Sequence, residues 1–281
     1  MGGQLGQIAF VIWRESVEAL LVIGILNAWL ARQADSALAI KGRRFLWLGV
    51  LAGLALAVLL GALLMGFSEA LPDEAQDYFQ AGMVVIAAAL ILQMIFWLRR
   101  HGRTLKRELE EGLEHARRDA RHWSLLVLAM LAVAREGSET VVFLYGILAA
   151  GSAGSAPTVA AVIFGFAAAL LTYWLLQYGG RRLSWRLFFR ATEIMLLFLA
   201  LSLVMTGVDH LVSLGLIPDA TGPLWDSSFL LDDSGTVGGL VSALTGYRAR
   251  PDLIALLVYG GYWLLVVWGL SRTTAGVQKP A

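Results

Sequence analysis

Long apolar stretches separated by short polar links dominate the hydrophobic pattern of this 281-residue chain. A helix needs about 20 apolar residues to cross the hydrocarbon core of a bilayer. Backbone groups that face lipid must also hydrogen-bond within their own segment, as they do in a helix. The pattern therefore predicts an all-α polytopic membrane protein with seven transmembrane helices, at about residues 8–30, 45–67, 78–98, 123–149, 158–178, 191–212 and 253–270.

Basic residues are concentrated in alternate links between these helices. All Lys and Arg residues except Arg14, Arg135, Arg248 and Arg250 lie in three links, at 32–44, 99–122 and 179–190, and in the C-terminal tail. Short cytoplasmic loops are rich in Lys and Arg, so we expect an external N-terminus and a cytoplasmic C-terminus. The opposite links are acidic, either because acidic residues are tolerated there or because they form a weak cation-gathering surface.

The composition supports a membrane protein and excludes several classes of site. Hydrophobic residues make up 58% of the chain and charged residues 15%, whereas soluble domains carry about 25% charged residues. The absence of cysteine excludes disulfides, thiolate metal sites and iron–sulfur clusters. No phosphate-binding loop motif suggests ATP hydrolysis. The first residues lack a basic segment before the first apolar stretch, which we interpret as a retained helix.

The same charged motif, Arg-Glu-x-x-Glu, lies inside two of the apolar stretches. Its charged residues are Arg14, Glu15 and Glu18 in the first predicted helix, and Arg135, Glu136 and Glu139 in the fourth. A charge near the middle of a bilayer costs about 2.5–3.5 kcal/mol even on lenient scales. On a helix the arginine and the second glutamate are i,i+4 neighbours, so each motif predicts one polar stripe facing the bundle interior.

The two motifs together carry more negative than positive charge. Four carboxylates against two guanidiniums leave an excess of two negative charges, which a structural salt-bridge lock does not require. Oxygen ligands without cysteine or histidine select hard cations. We favour a metal site over the lock, with Glu15, Glu18, Glu136 and Glu139 as ligands and Arg14 and Arg135 as supporting ion-pair partners.

The motifs lie 121 residues apart, and three predicted helices begin at each of them. An odd number of helices per repeat gives the two copies opposite orientations, as in inverted-repeat transporters with a site near the midplane. We therefore predict one permease domain over 1–281. It would comprise a first three-helix repeat with its cytoplasmic linker (1–122), a second repeat (123–212), an outer loop (213–252), and the seventh helix with the tail (253–281).

This combination of features is similar to a known family. Seven predicted helices, Arg-Glu-x-x-Glu in the first and fourth, and the outer-loop stretch "GPLWDSSFLLDDS" resemble the oxidase-dependent iron permeases, the EfeU-type bacterial branch with its fungal relatives. The resemblance implies that the four motif glutamates bind iron in transit. It also implies import of Fe(III) across the bacterial inner membrane, with a periplasmic oxidase or iron-binding protein delivering the ion.

Three further acidic residues are candidates for an entrance or exit. Glu193 either pairs with the neighbouring Arg190 at the interface or serves as a cytoplasmic exit ligand. Asp209 and His210 either cap the end of the sixth helix or face water, or they form an entrance ligand pair. Asp226 lies in an apolar part of the outer loop, which we expect to form an interfacial or re-entrant segment over the mouth.

Two other functions remain open on these residues alone. Carboxylates also suit Mn²⁺ and Mg²⁺, so the chain could transport another hard cation. A membrane di-metal carboxylate enzyme would use Glu-x-x-His pairs, and neither motif helix has them. In the cytoplasmic link, Glu111, Glu114 and His115 are better explained by solvated ion pairs than by a metal site. We expect a transporter that contacts lipid and iron, with no permanently bound cofactor and no nucleic-acid partner.

Overall fold

The structure of the protein is a computed structural model, which describes residues 2–31, 36–101, 122–151, 154–178, 185–218 and 222–275. These residues form an all-helical structure, which confirms the predicted class. The cytoplasmic candidates Glu111, Glu114 and His115 lie outside the described residues. The eight helices in the described part are α1 (Gly2–Ala31), α2 (Ser36–Ala70), α3 (Asp73–His101), α4 (His122–Ala149), α5 (Ser155–Tyr178), α6 (Trp185–Ser213), α7 (Thr236–Thr245) and α8 (Leu253–Ala275).

Five helices in the described part of the chain are long and apolar enough to cross a membrane, namely α2, α3, α5, α6 and α8. Helices α1 and α4 are also long, with 30 and 28 residues. Every stretch of either helix as long as a membrane span contains all three charged residues of its motif. The charged motifs, and not a lack of length, therefore distinguish α1 and α4 from the other five.

The two motif helices pack against each other in opposite directions. Near the start of α1, Gln4 Nε2 donates a hydrogen bond to the carbonyl oxygen of Ile147, near the end of α4, at 2.8 Å. Further along, Glu18 approaches Glu136. Helices α3 and α6 are also antiparallel. We call the end of the bundle that contains the N-terminus of α1 the outer end.

Helices α2 and α5 pack closely against the motif helices at glycines. A Cβ added to Gly53 of α2 would lie 2.8 Å from the carbonyl oxygen of Met130 in α4, and one added to Gly165 of α5 would lie 2.5 Å from that of Ala9 in α1. Met130 follows Ala9 by the same 121 residues that separate the two motifs. The α2–α4 and α5–α1 contacts therefore correspond to each other.

The packing separates a buried interior from an apolar surface. The main core cluster draws on α1, α3, α4 and α6, with fully buried Ile8, Ile91, Phe143 and Leu199 among its members. Helices α2, α5 and α8 instead expose large apolar side chains over most of their length. Because water would disfavour such a surface, this pattern fits a bundle surrounded by lipid.

The short helix α7 was not predicted from the sequence. It follows the outer-loop stretch around Asp226, packs against α1 and α6, and ends at Gly246, whose φ of 71° suits glycine. The contact with α1 is tight, since a Cβ on Gly3 would overlap the backbone of Gly239. The outer loop therefore contains a helix that lies between the ends of longer helices.

Candidate metal site

The two charged motifs meet where α1 packs against α4. Carboxylate oxygens of Glu15, Glu18 and Glu136 lie within 4.8 Å of one another, and Glu15 and Glu136 are buried. Glu139 is not part of this closest group but interacts electrostatically with both Glu15 and Glu18. The antiparallel packing thus brings glutamates separated by about 120 residues into one cluster, as the sequence predicts.

Arg14 pairs with this cluster from its outer side, and only 2% of its side chain is exposed. Its Nη1 donates to Glu15 Oε1 at 2.6 Å, and its Nη2 pairs with Glu18, one helical turn along. Nη1 also approaches Met94 Sδ of α3 at 3.0 Å. The guanidinium therefore neutralises part of the charge of two carboxylates in a place closed to solvent.

Arg135 has the corresponding position in α4 but a different environment. Its side chain is 45% exposed, and its Nε donates to Glu139 Oε1 at 3.2 Å. The distance to Glu136 is longer, at 3.9 Å. Its guanidinium carbon lies 4.5 Å from the centre of the Trp97 ring, which is a cation–π contact. Both predicted i,i+4 pairs are present, but only the arginine of the Arg14–Glu18 pair is buried, whereas that of the Arg135–Glu139 pair is exposed.

Several carboxylate oxygens of the cluster are buried without a hydrogen-bond donor among the described residues. These atoms are Oε2 of Glu15, Glu136 and Glu139, while Oε1 of Glu18 has the Arg14 ion pair without hydrogen-bond geometry. A buried, unsatisfied polar atom is costly and requires an explanation. A cation held among Glu15, Glu18 and Glu136 would supply a partner for these three carboxylates, and its positive charge would also attract Glu139.

The three candidate entrance or exit residues each pair with an arginine. Glu193 pairs with Arg99 of α3 and not with the neighbouring Arg190, so that expected partner is wrong. The reason is geometric, because Arg99 reaches across from the antiparallel helix at the same level. Asp209 pairs with Arg248, near the outer end.

Asp226 stabilises the outer loop. Its Oδ1 accepts a hydrogen bond from the backbone N–H of Ser228 at 2.9 Å, and its Oδ2 accepts one from Arg250 Nε, also at 2.9 Å. The hydrogen bonds from Ser228 lower the pKa of Asp226 below its usual range, with the charge of Arg250 as a smaller cause. This carboxylate therefore stays ionised at neutral pH and acts as a loop anchor.

Sequence reasoning missed the residues that surround the motifs. Two residues of α3 contact the motif arginines, Met94 with Arg14 and Trp97 with Arg135. Gln7, two turns before Arg14 in α1, hydrogen-bonds to Ser202 of α6. Met94 and Trp97 belong to a continuous apolar stretch, which gives no signal of contact with a charge. Gln7 did carry a signal in the sequence, because its amide lies seven residues before Arg14 and therefore on the same face of α1.

Comparison with known proteins decides the family. The model of the iron permease FTR1 family matches residues 5–272, and both charged motifs lie within that range. The chain belongs to the iron permease FTR1 family. Membership confirms the resemblance seen in the sequence, and it identifies the chain as a permease rather than an enzyme.

Three bacterial relatives align with this chain over most of both lengths. It is 30% identical to the ferrous iron permease EfeU of Shigella sonnei, over 96% of this chain and 98% of that protein. It is 30% identical to the protein of the same name from Escherichia coli O6:H1, over 89% of each chain. The Yersinia pestis protein of that name is 27% identical over 95% and 94%. No solved structure matches the chain.

Proposed function

We propose that the protein imports iron across the bacterial inner membrane through the four-glutamate cluster. The observation that carries this proposal is the set of buried carboxylate oxygens without hydrogen-bond donors, contributed by both motifs to one place. Hard oxygen ligands suit iron ions, and family membership favours iron over Mn²⁺ or Mg²⁺. Iron is the transported substrate here and not a resident cofactor.

The net charge of the cluster indicates whether it suits Fe²⁺ or Fe³⁺ better. Four carboxylates and two guanidiniums give a net charge of −2, which Fe²⁺ offsets in full and Fe³⁺ exceeds by one. The relatives are named ferrous iron permeases, whereas the resemblance in the sequence implies Fe(III). The charge balance favours Fe²⁺ at the cluster. Fe³⁺ is the alternative, and protonation of a carboxylate would assist release in either case.

We further propose that the long helices α1–α6 and α8 all span the membrane, with helices α1–α3 and α4–α6 as an inverted repeat. The antiparallel packing of α1 and α4 supports this, as do the corresponding contacts of Gly53 and Gly165. The glutamates would then lie near the midplane, between the repeats. A periplasmic iron-binding protein or oxidase would deliver the ion to the outer end, and the apolar surface would contact lipid.

Uptake of radioactive iron into bacteria that lack their own iron transporters tests the proposal. Glu18→Gln and Glu139→Gln each remove one carboxylate of the cluster, one from each motif, and each is expected to abolish uptake. Glu74→Gln makes the same change at an exposed outer position and should leave uptake intact. Normal uptake by both cluster variants at equal membrane expression would refute the carboxylate site.

The same cells can identify the ionic form and the substrate. Iron is supplied in three ways: with a reductant, with a reductant and a ferrous chelator as competitor, or as ferric citrate with no reductant. Uptake only under reducing conditions, and blocked by the chelator, is the result expected for Fe²⁺. Transport of manganese in place of iron would keep the site and change the substrate.

A further inference from the structure

A polar cavity of about 710 Å³ lies at the outer end of the bundle. It is lined by the start of α1, the end of α4, the outer half of α6, and the helix α7 with its flanking loops. Its lining is largely polar and includes Gln4, Gln7, Ser202, Asp209, Ser242 and Arg248. A cavity of this size and polarity has room for a hydrated ion.

The floor of this cavity is a hydrogen-bonded contact among three helices. Gln7 of α1 donates from Nε2 to Ser202 Oγ of α6 at 3.3 Å and to the carbonyl oxygen of Ala243 in α7. Ser202 Oγ in turn donates to the carbonyl oxygen of Ser242 at 3.4 Å. Gln7 and Ser202 are both buried, so this contact closes the bottom of the cavity.

The closed floor lies directly above the glutamate cluster. Gln7 precedes Arg14 by seven residues, which is about two helical turns or roughly 10 Å along α1. Between them on the same face is Val11, which is fully buried. An ion in the cavity would therefore need to pass only the Gln7 contact and the layer of Val11 to reach Arg14 and the carboxylates.

Helix α7 is the element of this contact that is easiest to displace. It has ten residues, and Gly238 is its one buried residue. Its contacts with α1 are made largely through small residues, including Gly3 and Gly239. Segments with few buried apolar contacts open at low free-energy cost. The longer α1 and α6, by contrast, contribute many residues to the main core.

The exposed fractions of the two motif arginines indicate that the glutamate cluster is closed on its outer side. Arg14, on the outer side of the cluster, is 2% exposed, and Arg135, on the opposite side, is 45% exposed. In an inverted-repeat transporter the site opens to one side at a time. The structure thus has the outer side shut.

We propose that α7, held by Gln7 and Ser202, is the outer gate of the ion path. This inference rests on the proposed iron transport through the glutamate cluster. A hydrated cation enters the cavity, α7 moves away from α1 and α6, and the bonds of Gln7 break. The ion then passes Val11 and exchanges water for the carboxylates. Return of α7 restores the contact and closes the path behind the ion.

A reversible disulfide between α1 and α7 tests this gate. The chain has no cysteine, so introduced thiols are the only ones present. A Cβ at Gly6 would lie 2.6 Å from Leu240 Cδ1, so α1 and α7 are close together at these two positions, where a pair of introduced cysteines can be oxidised to a disulfide. We expect the double variant Gly6→Cys with Leu240→Cys to take up iron when reduced. Uptake should fall to the level of cells without permease when the protein is oxidised.

Controls separate failure of the gate from failure of the transport proposal. The two single-cysteine variants and the cysteine-free chain should not respond to the oxidant. If the fully cross-linked protein takes up iron as fast as its thiol form does, the gate is overturned while the iron transport proposal stands. Absence of uptake by the unmodified chain would instead overturn the transport proposal, and the gate would then be judged by the labelling experiment below.

A labelling experiment needs no iron. In Val11→Cys, the thiol lies below the gate and should react slowly with a membrane-impermeant thiol reagent added from outside. Adding Gln7→Ala removes the bonds to α6 and α7 and should raise the labelling rate several-fold. Gln4→Ala is the matched control, since Gln4 lines the same cavity but bonds to Ile147 of α4. Equal labelling rates with and without Gln7→Ala would contradict the gate.

Discussion

Arg14 and Arg135 occupy the same place in two copies of one motif, yet their surroundings differ. Arg14 is enclosed by two carboxylates and Met94, whereas Arg135 is half-exposed and rests on Trp97. The difference comes from neighbouring elements. Met94 of α3 lies against Arg14, whereas Val127 of α4, two turns before Arg135, is exposed as Arg135 is. Identical motifs therefore do not make identical half-sites.

The strongest expected difference is in the cost of removing each arginine. Removing one partner of a buried ion pair typically costs about 3–5 kcal/mol, whereas an exposed pair is worth about 0.2–1 kcal/mol. Arg14→Gln should therefore greatly reduce folded protein in the membrane, while Arg135→Gln should fold nearly normally. Thermal unfolding of both variants in detergent measures the difference, and equal losses would contradict the asymmetry.

The corresponding glycine contacts should respond alike, in contrast to the arginines. Gly53→Ala and Gly165→Ala each force a methyl group against the backbone of a motif helix, and overpacking of this kind costs about 1–3 kcal/mol. We expect both to lower the unfolding temperature by similar amounts. Gly66→Ala is the control in α2, because a Cβ there meets nothing within 4 Å. A large effect at only one of the two contact positions would argue against corresponding packing.

A smaller effect is expected for the aromatic support of Arg135. An exposed cation–π contact is worth about 0.5–1 kcal/mol. A double-mutant cycle with Trp97→Leu and Arg135→Gln, followed by unfolding in mixed micelles, should give a coupling energy of that size. Strictly additive effects would show that Trp97 does not stabilise the guanidinium.

The smallest effect is expected in the outer loop, far from both motifs. Asp226→Asn removes the charge that binds Arg250 but leaves the cluster untouched. The lowered pKa of Asp226 means that its stabilising contribution is present above the usual carboxyl range and is lost only as pH falls through the lowered value. Iron uptake by Asp226→Asn should therefore match that of the unmodified chain throughout pH 5–8. A distinct pH profile would assign Asp226 a role in capture.

Much of this architecture could be predicted because it depends on periodic apolar sequence. Apolar stretches predict where α1–α6 and α8 lie in the described part of the chain, although α2 extends from Ser36 to Ala70 and so exceeds the predicted 45–67 at both ends. Helices continue past the hydrocarbon core, where residues need not be apolar. Helix α7 was missed because ten residues with two glycines are too short for a span.

The site was predictable in its carboxylates but not in its asymmetry. The motif spacing predicts that Glu15, Glu18, Glu136 and Glu139 all face the bundle interior. The structure brings the first three within 4.8 Å of one another, and Glu139 lies outside that group. The burial of Arg14 depends on tertiary packing, which brings Met94 of α3 against its guanidinium. Glu193 pairs with Arg99 and not with Arg190 for the same reason. The antiparallel packing of α3 and α6 places Arg99 beside Glu193.

Equilibrium binding of radioactive iron to the purified protein tests most directly the claim that both motifs hold one ion together. We expect one ion bound per chain, with binding lost in Glu18→Gln and equally lost in Glu139→Gln. Two ions per chain, each removed by substitution in only one motif, would contradict it and would make the motifs separate sites.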